Sequence, residues 1–161
     1  MADTDTPRAL LIVALQDLHD AETAWVERSG ALQHNASYRI GTYLAEEART
    51  AQAQAGRLTS AIAALNGKVE GPPNIWLRAI LDDAARDADT IAAGPLRDTA
   101  LVGAFRKGKQ AERVSYETAI GLARRMHHDD LVRTLTVSRD EEARIDAALV
   151  LLDTILREMV V

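Results

Sequence analysis

The stretch "NGKVEGPPNIWLRAILDDAARDADTIAAGPLRD", residues 66–98, decides the fold. Its opening "NGKVEGPP" holds two glycines and two prolines, which end any preceding helix. "NIWLRAILDDAARDADTIAA" then carries a helical period, predicting a short helix over about 75–92. "GPLRD" stops it and opens another helix, with Pro95 in the first turn, where its missing N–H costs nothing. The link between the flanking helices is therefore some thirty residues long, with a helix inside it. Such a link can carry the chain back along a whole long helix, which a tight turn cannot do.

On the N-terminal side, "TPRALLIVALQDLHDAETAWVERSGALQHN" begins with Thr6 as N-cap and Pro7 as first helical residue, predicting a helix over 7–33. His34, Asn35 and Ala36 form a short turn, and Ser37 caps a second long helix over about 38–65. On the C-terminal side, a third long helix runs over about 96–126 and a fourth over about 130–160. "HHDD" (127–130) marks the turn between them, with Asp129 and Asp130 suited to capping the fourth helix. Tight turns within each pair make two antiparallel hairpins. Two hairpins joined by one long crossover is an all-α, ferritin-like four-helix plan, within one domain spanning residues 1–161. Trp76, just after "PPN", is expected to pin the crossover helix to the rest.

Composition agrees with helix. Hydrophobic residues make up 47% of the chain and aromatics only 4%, so the core must be built from Leu, Ile, Val and Ala. The net charge of −5 argues against a nucleic-acid binder, which needs a basic face. With no cysteine there are no disulfides and no thiolate metal sites. "LLIVAL" (10–15) is too short to span a membrane, and Asp17 interrupts it before a signal-peptide pattern can form, so a cytoplasmic protein is expected.

The apolar stripes raise a question of their own. The first helix reads Leu11, Leu15, Leu18, Glu22, Trp25, Ser29, Leu32; the second Ile40, Leu44, Glu47, Ala51, Gln54, Leu58, Ala61, Leu65. The third reads Leu101, Phe105, Gly108, Glu112, Ser115, Ala119, Leu122, Met126. The fourth reads Leu131, Leu135, Ser138, Glu142, Ile145, Leu149, Leu152, Leu156, Met159. This alternating spacing is the seam of helices packed at shallow angles. Each seam carries one glutamate near its middle. Glu22 lies 12 residues before His34 and Glu47 13 after it; Glu112 and Glu142 each lie 15 from His127. At about 1.5 Å rise per residue, each pair sits level.

Four carboxylates in one buried layer need cations, protons or basic side chains, because desolvating one charge costs several kcal/mol. Hard divalent ions suit an oxygen-rich cage, and helical bundles hold di-iron and di-manganese sites built this way. Such sites also place a His three residues after the Glu on two helices. Here those slots hold Thr50 and Ile145. A second register on the second helix, Ile40, Leu44, Ala48, Ala51, Ala55, Leu58 and Ile62, is equally apolar and leaves Glu47 at its edge.

"LQDLHDAET", "LRDTALVGAFRKGKQAERVSYET" and "RDEEARID" resemble, in order and spacing, the YciE/YciF family of ferritin-like bacterial proteins. The resemblance implies a ferritin-like fold, a homodimer, a dinuclear iron or manganese centre between the helices and an association with stress responses, with no settled reaction. Carried over by position, Glu22, Glu112, Glu142 and Asp146 match acidic family positions, and Glu47 stands where the family favours His. Lys109 stands where the family tends to have Glu, one turn from Glu112, within reach to supply a counter-charge in place of metal.

Other side chains flank this layer. Tyr43 and Tyr116 each lie one turn from a glutamate, as hydrogen-bond partners of a carboxylate or as rim tyrosines. His19 precedes Glu22 by one turn, as a flanking ligand or a solvated residue. The Ala-rich faces (Ala48, Ala51, Ala55; Ala84, Ala88) allow the close approach of a second copy. Three readings stay open: a carboxylate bundle binding one or two metal ions, a metal-free structural or interaction bundle, and an oligomeric iron store. No small-molecule substrate is indicated.

Overall fold

The structure, a computed structural model, describes residues 3–160. These residues form five helices and no strand: α1 (Pro7–His34), α2 (Tyr38–Ala64), α3 (Ile75–Thr90), α4 (Pro95–Arg125) and α5 (Asp129–Met159). None of them is long and apolar enough to cross a membrane.

Local chemistry sets the boundaries. Thr6 accepts a hydrogen bond from the Ala9 N–H and Pro7 follows it, so α1 starts with its orphan donors answered. Ser37 caps α2 in the same way. Asn74, fully buried, caps α3 by accepting from the Leu77 N–H at 2.8 Å. Gly94 enters α4 at φ 118°, a backbone conformation that only glycine adopts without strain. The turn before α5 differs from expectation. His128, not an aspartate, occupies the N-cap, and no side chain caps that end. Asp129 and Asp130 instead lie in the first turn, where the helix dipole favours their charge.

Side-chain pairs give the helix directions. Arg8, at the start of α1, donates to the Leu65 carbonyl just past α2, and Gln33 packs on Gly41, so α1 and α2 are antiparallel. Arg106 bonds Asp146 across the turn at residue 127, so α4 and α5 are antiparallel too. Tyr116 meets Glu22 while Trp25 meets Glu112, so α4 descends along α1. Gln54 meets Glu142 and Arg57 meets Ser138, so α5 rises along α2. Thus α1 and α5 run one way, and α2 and α4 the other.

The crossover makes this order possible. Asn74 bonds Asp17, Arg78 pairs with Asp20 and Glu27, and Arg28 pairs with Asp82, so α3 climbs parallel to α1. It delivers the chain to the far end, where Arg97 bonds the Asn35 carbonyl beside the end of α1. Trp76 donates to Asp17 at 3.0 Å, pinning α3 as its position predicts. Leu77, Leu81, Ala84 and Ala88 bury against α1 and α4.

Of the Ala-rich faces, Ala51, Ala55, Ala84 and Ala88 are buried within the chain's own core and Ala48 is half-buried. Two seams also drift. After Glu112, α4 buries Tyr116, Ala119, Ile120 and Ala123 rather than Ser115, Leu122 and Met126. After Glu142, α5 buries Asp146 and Asp153 more deeply than Ile145 and Leu152, and Met159 is exposed. A straight helix of 3.6 residues per turn falls about 20° out of step with a seven-residue repeat each heptad. Over helices of 31 residues that drift rotates a new row inward. The core is consequently two apolar clusters, one around Trp25, Leu44, Leu77 and Phe105, the other around Leu11, Leu15, Leu58 and Ile120. Between them lies a polar layer.

Candidate functional site

Glu22, Glu47, Glu112 and Glu142 are all buried, each at 1% exposure or less. Glu47 therefore lies inside the bundle rather than at an edge, and the second α2 row is buried beside it apart from half-buried Ala48. Among them sits Lys109, also fully buried. Its Nζ contacts Glu112 Oε2 at 2.8 Å and Glu142 Oε2 at 2.8 Å, and pairs closely with Glu47 Oε1. Lys109 also lies 4.6 Å above the centroid of the Trp25 ring, whose π-face favours a cation. The sequence places Gly108 on the α4 seam and Lys109 one residue aside, and the four-carbon stem covers the difference.

Neutral groups answer the remaining oxygens. Trp25 Nε1 donates to Glu112 Oε1 at 2.8 Å, Gln54 Nε2 to Glu142 Oε1 at 2.8 Å, and the Tyr116 hydroxyl to Glu22 Oε1 at 2.8 Å. Tyr43 reaches Glu47 Oε2 at 3.5 Å, the limit of a hydrogen bond. Tyr116 is therefore not a rim tyrosine; its ring is fully buried. Two polar atoms in the layer, Glu22 Oε2 and Gln54 Oε1, have no protein partner.

Four carboxylates and one ammonium cannot all be charged cheaply. Burial pushes Glu22 well above the usual carboxylate range, and the neighbouring Glu142 adds to the shift. Glu112 moves the same way for the same two reasons. Burial also raises Glu47, though its Lys109 partner opposes the shift. For Lys109 burial works against the charge, but Glu112, Glu142 and Glu47 outweigh it and hold the ammonium well above the usual lysine value. The layer is a buried ammonium ringed by four carboxyl groups, of which burial pushes Glu22, Glu47 and Glu112 toward the neutral form.

Asp146 does not join them. Its oxygens are taken by Arg106 Nε at 3.0 Å and Gln110 Nε2 at 2.6 Å, on the α4–α5 flank one turn away. The carboxylate oxygens that could converge on one ion are those of Glu47, Glu112 and Glu142, within 4.8 Å of one another. His19 also stands apart: half-buried, with its pKa lowered by burial, and near Asp20 and Glu70. Gln54 and Trp25 occupy seam slots, yet neither is expected from the sequence to have a role. The available signal was the one that flagged the glutamates, a polar group in a slot that faces the core.

The sequence model of a family described as a domain of unknown function, DUF892, matches residues 6–158. The chain belongs to this family, the one that includes YciF. Its structure is similar to that of the Escherichia coli stress protein YciF, with TM-score 0.90 and 20% identity, covering 96% of this chain and 98% of that one. It is also similar to YcfI of Rhodopseudomonas palustris, described as a candidate structural protein, with TM-score 0.85 and 26% identity over 91% of this chain and 94% of that one. No curated protein matches the chain.

The dinuclear centre implied by the YciE/YciF resemblance does not fit these residues. Lys109 Nζ stands at the point where three carboxylates converge, which is where a cation would stand. Glu22 is committed to Tyr116, and the slots after Glu47 and Glu142 hold Thr50 and Ile145, neither of which carries an imidazole.

Proposed function

We propose that this protein is a ferritin-like bundle that works as a structural or interaction protein, with an internal lysine–carboxylate lattice in the place of a dinuclear metal centre. The observation that carries the reading is the contact of Lys109 Nζ with Glu47, Glu112 and Glu142. An ammonium so placed neutralises the acids without offering an open coordination position, a bound oxidant site or a labile ligand. The order of helix directions, with the long crossover through α3, supports the ferritin-like plan. The description of YcfI as a candidate structural protein is of the same kind, and the stress association of YciF extends here as part of the proposal.

Elemental analysis of protein purified without chelator tests this directly. The expected result is far less than one iron or manganese per chain, with a thermal midpoint that does not move in millimolar Mn2+. One or two tightly held ions per chain would overturn it. That outcome would favour the second reading, a carboxylate centre for iron or manganese, whose support is the 4.8 Å convergence of three carboxylate oxygens.

A further inference from the structure

We infer that position 109 selects between an internal ammonium and a divalent metal ion, and that Glu47, Glu112 and Glu142 form a latent oxygen-donor site for one such ion. The inference rests on the reading above, in which Lys109 fills the cation position. It goes further by locating the site, its ligands and the single residue that closes it.

Three observations point the same way. The three carboxylates, from α2, α4 and α5, already present one oxygen each within 4.8 Å of one another. Trp25 fixes Glu112 and Gln54 fixes Glu142, each at 2.8 Å, and Glu47 keeps a 3.5 Å contact from Tyr43, so two of the three acids stay anchored if the ammonium leaves. Gln54 is fully buried with its Oε1 unpartnered, a free carbonyl donor bordering the cluster. A divalent ion also brings one more positive charge to the cluster than the ammonium does. An all-oxygen donor set selects hard ions, Mn2+ or Mg2+ ahead of zinc. Only one ion is accommodated, because Glu22 is held aside by Tyr116.

The test uses Lys109→Met, which keeps the stem length and removes the charge, and Lys109→Gln, whose amide still donates to a carboxylate if Met proves too disruptive. Mn2+ is the probe, followed by loss of its free-ion paramagnetic resonance signal and by the thermal midpoint. Either variant should bind one Mn2+ per chain and gain about 5–10 °C at a hundredfold excess over Kd, where wild type gains nothing. Adding Glu112→Gln should abolish both signals. A folded variant that binds no Mn2+ overturns the inference, and so does one whose binding survives Glu112→Gln. Failure of both variants to fold even in Mn2+ also overturns it, since the ion is required to substitute for the ammonium. Binding of Mn2+ by wild type is a different result, which sinks the proposed function instead.

Discussion

Replacing Glu22 with glutamine should stabilise this protein, by an amount that grows with pH. Glu22 is fully buried, touches Lys109 in none of the ammonium's ion pairs, and has one oxygen without a partner. Its folded pKa lies well above the ordinary 4.5, first because of burial and then because of Glu142. A carboxyl whose pKa rises on folding contributes stability that is whole below the unfolded pKa and is lost as pH rises toward the folded one. Between those limits the loss is about 1.4 kcal/mol per pH unit. Glutamine is nearly isosteric, keeps an oxygen for Tyr116 and never ionises. Wild type and Glu22→Gln should therefore melt together near pH 4. Above pH 4.5 the variant should draw ahead by roughly 3–6 °C per pH unit, on the scaling for a chain of this size. Circular dichroism melts from pH 4 to 8 measure the gap. A gap that does not change with pH, or a variant that melts below wild type at pH 8, would refute the reasoning, because either result means that Glu22 is ionised and paired.

Other perturbations separate the lattice from its surroundings. Lys109→Met without added metal should cost about 3–5 kcal/mol, since it leaves buried acids unpaired, whereas exposed Lys107→Met should change the midpoint by little. Gly108→Ala should destabilise by about 1–3 kcal/mol, because its Cβ would meet Leu77 Cδ1 at 3.0 Å and Trp25 Cζ2 at 3.2 Å. On the same helix, Gly121→Ala meets nothing within 4 Å and should stabilise by about 0.5–1 kcal/mol in urea titrations. Asn74→Ala removes a buried cap and its bond to Asp17, and should lower stability by about 2 kcal/mol, read as a fall in the urea midpoint with an unchanged slope.

Most of the chain's course was legible because short-range chemistry writes it. Thr6 before Pro7, Ser37 before Tyr38 and Pro95 after Gly94 each mark a boundary that the structure places within a residue of expectation. Glu22, Glu47, Glu112 and Glu142 were legible too, because a seam slot and a count from each turn fix both facing and depth. What those counts do not contain is reach. Lys109 is visible as a neighbour of Glu112 on its own helix, but its bonds to Glu47 and Glu142 cross to two other helices. Tyr116 was legible as a partner for a carboxylate, although the acid it meets is Glu22 on α1 rather than Glu112 on its own helix. The seam ran through Ile145 and left Asp146 aside, because seam rules assume a fixed 3.5-residue repeat and α5 is long enough to drift out of it. Asp146 then turned to Arg106, a partner that no periodicity names.

The parallel course of α1 and α5 has a mechanical consequence. Pro7 and Met159 lie at opposite poles of a body whose length is set by helices of 28 to 31 residues, about 45 Å. A pull applied at the two ends therefore runs along the helix axes and loads their contacts in shear, many at once. A chain whose first and last helices ran antiparallel would instead be peeled open contact by contact, at lower force. The direction of α3 also determines what yields first. The Asp17, Asp20, Asn74 and Arg78 clasp couples the crossover to α1, so tension reaching α1 is shared with α3 rather than carried by α1 alone.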